Sequence, residues 1–235
     1  MRIKLQPAFI LHSRAYRDSS QILEVLTAEY GRLTIVAKGS RRRQRGGSNA
    51  AILQPFIPLL LSFSGRAEMK TMTALETAGE PRVLRGTRMF SGLYLNELLV
   101  RLLHRHDSHP EIFLAYDNAV AGLHHNEQVD AVLRRFEFTL LQELGFGFEL
   151  AVDGISGEGV LAENWYCFDA ELGLVRDDSK AGVQRSVFPG NELLAMAEGE
   201  FGDPVKGTAK RLLRQALAGH LGDKPLKSRD LFRRA

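Results

Sequence analysis

The apolar residues of this chain change their spacing once, near residue 80, and that change narrows the folds open to it. Before it, apolar side chains alternate or run in short blocks. Ala8–His12 is a short apolar run, Gln21–Thr27 carries apolar side chains on both faces, and in Leu33–Lys38 the residues Leu33, Ile35 and Ala37 alternate with Thr34, Val36 and Lys38. The segment Glu29-Tyr30-Gly31-Arg32 joins the second run to the third, as a hairpin requires. A loop rich in Gly, Ser and Arg, Gly39–Asn49, follows; then come Phe56–Phe63, the turn Ser64-Gly65-Arg66, and Glu68–Leu75. Five short strands with one long loop after the third suit a small closed barrel. The OB-fold is the natural candidate and a generic SH3-like barrel the alternative.

From residue 88 the spacing is helical. Met89–His104 repeats Leu93, Leu95, Leu98, Leu99, Leu102 and Leu103; Pro110–Leu123 continues in the same way. Val129–Leu144 turns Val132, Leu133, Phe136, Leu140, Leu141 and Leu144 inward and stops at Gly145. Residues 147–180 are irregular, with a small hairpin expected from Trp165–Phe168 and Leu172–Arg176. Asn191–Ala197 reads as a short helix and Val205–His220 as a clear one. The expected class is α+β. A five-stranded OB-type barrel over 1–80 precedes a mainly helical domain over 81–235, with 147–180 as its irregular insert. The boundary falls near 80–87, where Gly79, Pro81 and Gly86 punctuate the change.

Positive charge is segregated along this framework. The whole chain carries +3, yet residues 1–80 hold 12 Lys/Arg against 6 Asp/Glu and residues 205–235 hold 9 against 2, leaving the middle acidic. Basic ends that meet in the fold favour a polyanion, with nucleic acid first and a membrane surface second. A hydrophobic fraction of 44% with 25% charged residues supports a real core. No run of about 18 apolar residues occurs; Ile52–Phe63 is broken by Gln54, Pro55 and Pro58. Met1–Gln6 lacks a signal peptide's apolar stretch, so the expected location is cytoplasmic. Cys167, the single cysteine, is expected to be a buried core thiol.

The sharpest local feature is Lys38-Gly39-Ser40-Arg41-Arg42-Arg43-Gln44-Arg45-Gly46-Gly47. Its cations Lys38, Arg41, Arg42, Arg43 and Arg45 repel one another, and a loop of this kind closes on a phosphate backbone by releasing condensed counterions. It is not a P-loop, because the Gly-Lys-Ser/Thr ending is missing. The plain alternative is a solvated surface loop. On the last long helix Lys206, Lys210 and Arg214 stand four apart with Arg211 adjacent, either a second phosphate track or an ordinary outer face. The tail adds Lys224, Lys227, Arg229, Arg233 and Arg234. Among the barrel aromatics, Phe9 and Phe63 are expected in the core. Tyr16, between Arg14 and Arg17 in an expected loop, is the ring best placed to stack on a base. Catalysis is not indicated. His104 and His106 point apart on a helix, His124 and His125 are adjacent, Asp177-Asp178 lacks partners, and neither HExxH nor a nucleophile elbow occurs.

Four stretches, in order, resemble the bacterial RecO family of recombination mediators, its gammaproteobacterial branch most of all. They are Ala8-Phe9-Ile10-Leu11-His12-Ser13-Arg14; Leu53-Gln54-Pro55-Phe56-Ile57-Pro58-Leu59 through Phe63, Gly65-Arg66 and Glu68-Met69-Lys70-Thr71; Ser91-Gly92-Leu93-Tyr94-Leu95-Asn96-Glu97-Leu98-Leu99; and Lys224-Pro225-Leu226-Lys227-Ser228-Arg229-Asp230-Leu231-Phe232. The resemblance implies an OB-fold followed by a helical domain. It also implies binding of single- and double-stranded DNA, annealing of complementary strands, and loading of RecA onto strands coated by single-stranded-DNA-binding protein (SSB). RecR and the acidic C-terminal tail of SSB are the implied partners, and no enzyme activity or cofactor is expected. Many members carry four cysteines that bind zinc after the helix ending near Gly145; Phe148–Gly159 has none, so no metal is expected and packing alone should hold the insert. By analogy the SSB tail would use an apolar groove of the helical domain, with Arg134 and Arg135 beside Leu133 and Phe136 as candidates. An ordinary solvent-facing arginine pair is the alternative. An RNA-binding OB protein, a metal-dependent nuclease and a peripheral membrane protein are the competing classes.

Overall fold

A computed structural model of the chain describes residues 2–42, 49–177 and 186–233. Its N-terminal part contains β1 (Arg2–Tyr16), β2 (Ser20–Thr27), β3 (Gly31–Ala37), β4 (Leu59–Ser64) and β5 (Lys70–Thr77). These strands close into a barrel in the order β1-β2-β3-β5-β4. β3 and β5 run parallel through Ile35↔Lys70 and Val36↔Thr71, while the other pairs are antiparallel. This is the five-stranded OB-type barrel. Ala8, Ile10, Leu23, Val25, Leu33, Ile35, Leu61 and Phe63 fill its interior.

β1 is far longer than its apolar run suggests. Its first half pairs with β4 and its second half with β2, and register shifts at Ile3/Gln6 and Ile10/His12 bend it between the two partners. Phe56 is not in a strand: it has φ 69° in the approach to β4, and a Cβ added at Gly92 would come within 2.8 Å of its ring. Glycine at 92 is therefore what lets that aromatic lie against the helix backbone.

Helices α1 (Thr87–Leu102) and α2 (Pro110–His124) pack with the barrel. On the outward side of β1, the Phe9 ring lies 5.6 Å from Phe113 and 5.2 Å from Tyr116. A buried polar pair fixes the register. The Asn96 Nδ2 amide donates to the Leu11 carbonyl at 2.9 Å, and the Tyr116 hydroxyl donates to Asn96 Oδ1 at 2.6 Å. Burial pushes the Tyr116 phenol up, which keeps it a donor.

Packing divides the chain differently from the change in spacing. One compact unit comprises Met1–His125 with Pro225–Ala235, the other Asn126–Lys224. The chain leaves the first unit after α2 and returns to it through α6 (Ser228–Arg233). Glu97 on α1 receives this return. Its carboxylate accepts the Lys227 amide at 2.9 Å, the Ser228 amide at 2.8 Å and the Ser228 hydroxyl at 2.7 Å. Burial pushes the Glu97 carboxyl up, but these donors outweigh it and the net position is below the ordinary range.

The second unit holds α3 (Val129–Glu143), α4 (Gly190–Ala197), α5 (Lys206–Leu221) and a small sheet. That sheet contains the expected hairpin, β6 (Trp165–Asp169) with β7 (Gly173–Arg176), and β8 (Val187–Pro189) on the other side of β6. Packing alone does not hold the insert. The buried Asp153 carboxylate accepts the Ile155 and Ser156 amides at 3.0 and 2.8 Å, the Ser156 hydroxyl at 3.1 Å and the distant Arg176 amide at 2.6 Å. The Ser156 amide is the chief cause that holds this carboxyl below its ordinary range, against the opposing effect of burial. One side chain thus ties the turn to the hairpin. Cys167 is not the expected core thiol: it is half-buried, because alternation on β6 sends Tyr166 inward instead. Among the described residues no helix is long and apolar enough to cross a membrane, and no group of three or more His, Cys, Asp and Glu is placed to hold a metal ion.

Candidate nucleic-acid interface

At one end of the barrel three connections come together: the β1–β2 turn, the chain leaving β3, and the β4–β5 turn. They enclose a cleft of about 610 Å³ lined by the cations Arg17, Lys38, Arg42 and Lys70, with Tyr16 and Met69 among its apolar surfaces. No carboxylate lines it among the described residues. The β1–β2 and β4–β5 loops, with the β2–β3 face, are where OB barrels hold oligonucleotides.

Local structure explains each position. Tyr16 closes the β1–β2 hairpin opposite Ser20, and Arg17, with φ 52°, turns back so that its guanidinium lies 5.1 Å over the Tyr16 ring. Beyond β3, Gly39 takes φ 66° and the Arg42 amide donates to its carbonyl at 3.0 Å. The Arg41 amide donates to the Ser19 carbonyl at 2.9 Å, linking this turn to the β1–β2 connection. Ser40 is buried. Its hydroxyl donates to Gln21 Oε1 at 3.0 Å, and its carbonyl accepts the Ala50 amide at 3.0 Å. One residue therefore pins both ends of the basic loop. Lys70 is mostly buried, and its Nζ donates to the Ala67 carbonyl at 2.8 Å within the β4–β5 turn.

Two family models cover the chain: Recombination protein O N terminal over residues 1–80, and Recombination protein O C terminal over residues 84–230. The chain is 45% identical over 233 residues to the DNA repair protein RecO of Nitrosococcus oceani, covering 99% of this chain and 94% of that one. It is 42% identical to the DNA repair protein RecO of Methylococcus capsulatus over 233 residues, with the same coverage. With the DNA repair protein RecO of Pseudomonas aeruginosa strain LESB58 it shares 43% over 228 residues, 97% and 94% of the two chains. The chain belongs to the recombination protein O family.

In this RecO-family chain the other end of the β2–β3 face is covered. The segment after α1 lies along β3: Arg105 bridges to Arg32, the His106 amide donates to the Arg32 carbonyl at 3.0 Å, and Arg32 Nε donates to the Leu103 carbonyl at 3.1 Å. Gly31, at φ 63°, permits this approach, since a Cβ there would lie 1.8 Å from the Asp107 carbonyl oxygen. Glu24 is shared by Arg32 at 3.0 Å and Arg105 at 3.3 Å, and Arg105 also holds Glu68 at 2.9 Å. The hydrogen bond to Glu68 is the main reason the Arg105 guanidinium is pushed up. His104 and His106 lie beyond the end of α1, not on it.

The expected site residues are distributed unevenly. Lys38 and Arg42 line the cleft, Arg41 sits exposed beside them, and Arg14 is exposed farther back on β1. Arg43 and Arg45 lie outside the described residues. Tyr16 is a half-buried strand residue, not an exposed loop residue. Arg17, Lys70 and Met69 were not among the expected site residues. Arg17 adjoins Tyr16 in sequence, whereas Lys70 reaches the cleft only through the β3–β5 pairing.

On α5 the residues Lys206, Lys210, Arg211 and Arg214 are all exposed. Lys206 is bound to Asp203 at 2.7 Å. Arg211 lies 5.7 Å over the Phe188 ring, with a hydrogen bond to Thr208 Oγ1 at 3.3 Å. Lys210 and Arg214 make no ion pair among the described residues. Lys227 and Arg229 are exposed at the start of α6 and belong to the barrel's unit. The basic C-terminal segment is thus shared between the two units.

The groove expected on α3 is not presented there. Leu133 and Phe136 are buried in the core, and Arg134 is buried with its Nη2 2.8 Å from Oε1 of the fully buried Glu137. Only Arg135 is exposed, 3.8 Å from Glu127. α3 is buried around most of its circumference over this stretch, and an arginine can lie inside because a carboxylate one turn later neutralises it.

Proposed function

We propose that this chain is a DNA repair protein of homologous recombination, acting in the RecF pathway as a non-enzymatic mediator. It binds single- and double-stranded DNA, anneals complementary strands and helps load RecA onto SSB-coated single strands. The observation that carries this reading is the cleft of four cations and no described carboxylate, built by the ligand-binding loops of an OB-type barrel.

In this reading the barrel over 1–80 is the DNA-binding part and 81–235 is the helical part, whose first two helices and last segment belong to the barrel's compact unit. Phosphates of a single strand follow Arg14, Lys38, Arg41, Arg42, Arg43 and Arg45. Lys206, Lys210, Arg211 and Arg214 give a second, weaker track, and Lys227 and Arg229 add charge beside α6. Annealing requires two repelling backbones to be screened, which fixed cations provide without covalent chemistry, cofactor or nucleotide hydrolysis. RecR and the acidic tail of SSB are the protein partners, and Arg135 remains the candidate for pairing with the tail's carboxylates. The cytoplasm, at the nucleoid, is where these partners meet.

Annealing of complementary strands coated with full-length SSB, compared with strands coated by SSB lacking its tail, tests the role. Annealing should be accelerated in both the absence of SSB and the presence of the full-length protein, and should fall when the tail is removed. Equal rates with and without the tail would leave DNA binding in place and remove the mediator role.

A further inference from the structure

We infer that the cleft holds an unstacked base between Tyr16 and Met69, and so distinguishes single strands from duplex; this rests on the reading of the cleft as a DNA site. The four cations account for phosphates but not for the apolar groups set among them. Met69 is 43% exposed at the end of the β4–β5 turn, just before Lys70, and it lines the same cleft as the Tyr16 ring. The fold does not need an exposed thioether there, because the barrel core is filled without it. The ring, by contrast, is held in place: Tyr16 is fixed by strand pairing with Ser20, and Arg17 covers part of it at 5.1 Å.

A preorganised ring and a polarisable thioether line the same cleft, and each can contact the face of a base. Arg17, Lys38, Arg42 and Lys70 surround that slot and neutralise the adjoining phosphates. The volume of about 610 Å³ lies in the range of pockets that take groups of nucleotide size, roughly 300–1,000 Å³. Bases paired within a duplex keep their faces stacked on one another and do not enter it. Duplex therefore binds through phosphate contacts alone, and the preference for single strands comes from the slot.

The test uses the full chain with an oligothymidylate of about 12 nucleotides, within the usual span of one OB barrel, an abasic oligonucleotide of equal length, and a duplex. Tyr16→Ala should weaken oligothymidylate binding by about 5- to 100-fold, and Met69→Ala by about 2- to 10-fold. The salt dependence should not change, and affinity for the abasic strand and the duplex should stay within about twofold. Tyr16→Phe should retain most of the affinity. Met69→Ala, at an exposed position, keeps the test valid if Tyr16→Ala fails to fold. Equal losses on all three ligands mean that the two side chains only support the turn, and overturn the inference. No loss with either variant, while Lys38→Ala with Arg42→Ala still weakens binding, overturns the base slot and leaves the cleft as a phosphate site. If that double variant also binds normally, the reading of the cleft itself fails.

Discussion

The barrel cleft and the outer face of α5 carry similar numbers of cations but are built differently. In the cleft, cations from three separate connections face one concave space, and no described carboxylate lines it. On α5 the cations lie along one convex helix face, where Asp203 holds Lys206 and the Phe188 ring engages Arg211. Lys206 and Asp203 shift each other's titration in the directions of a partnered pair, Lys206 up and Asp203 down. Counting charges ranks the two surfaces as equals. Concavity and the lack of a carboxylate among the described lining residues separate them, because a cation already bound to a carboxylate releases little when a phosphate arrives.

The largest test of this contrast is at the basic loop. Replacing Arg41, Arg42, Arg43 and Arg45 together by alanine should weaken single-strand binding roughly 100-fold at about 0.1 M salt, as the loss of about three phosphate contacts gives. Melting temperature should not fall, since the described members of the set are exposed. Fluorescence anisotropy and thermal melts on the same samples check both halves; unchanged binding removes the loop from the site.

A second test separates support of the fold from DNA binding. Asp153→Asn should cost the second unit about 1–3 kcal/mol, because buried donors lose a charged acceptor, while single-strand affinity stays the same. The native carboxyl is held below its unfolded value, so its contribution is complete above the ordinary carboxylate range. It is lost as pH falls through the lowered value. Denaturant unfolding from neutral to acid pH should show a steeper loss in the parent chain than in Asp153→Asn. A parallel drop in DNA affinity would show that the second unit, with α5, contributes more than the contrast allows.

The smallest effect is expected on α5 itself. Lys210→Ala with Arg214→Ala should weaken DNA binding only about three- to fivefold and reduce the salt slope by about one. A loss matching that of the loop variant would make the two surfaces equivalent.

What the sequence revealed follows the range over which each contact acts. β2, β3 and the hairpin of β6 and β7 were legible because their signals are local: a short apolar run with both faces buried in β2, and alternation in β3. Helices α1 to α5 were legible to within a residue or two because their apolar spacing is also local, whereas the short α6 was not expected. β1 was read too short, since its ends lie at the barrel rim, where polar Arg2, Lys4 and Arg14 interrupt the pattern. Packing of α1 and α2 with the barrel was hidden because it depends on Asn96 and Tyr116 meeting a strand 85 residues away from Asn96. The Asp153 tie was hidden for a similar reason: one partner is a backbone amide 23 residues distant, which leaves no mark in composition. Arg134 misled because an arginine in a helix normally faces water, whereas here it is buried against the Glu137 carboxylate. Of the cleft, the loop cations and Tyr16 were visible as a cluster. Lys70 and Met69 reached it only through strand order.

The most direct check is the salt dependence of single-strand affinity for the intact chain and for one with Lys38, Arg41 and Arg42 replaced by alanine. About six phosphate contacts predict a slope near −4 for the intact chain. The variant should be shallower by about two, at ~0.7 for each contact removed. Parallel lines for the two proteins would contradict a phosphate site in the barrel cleft.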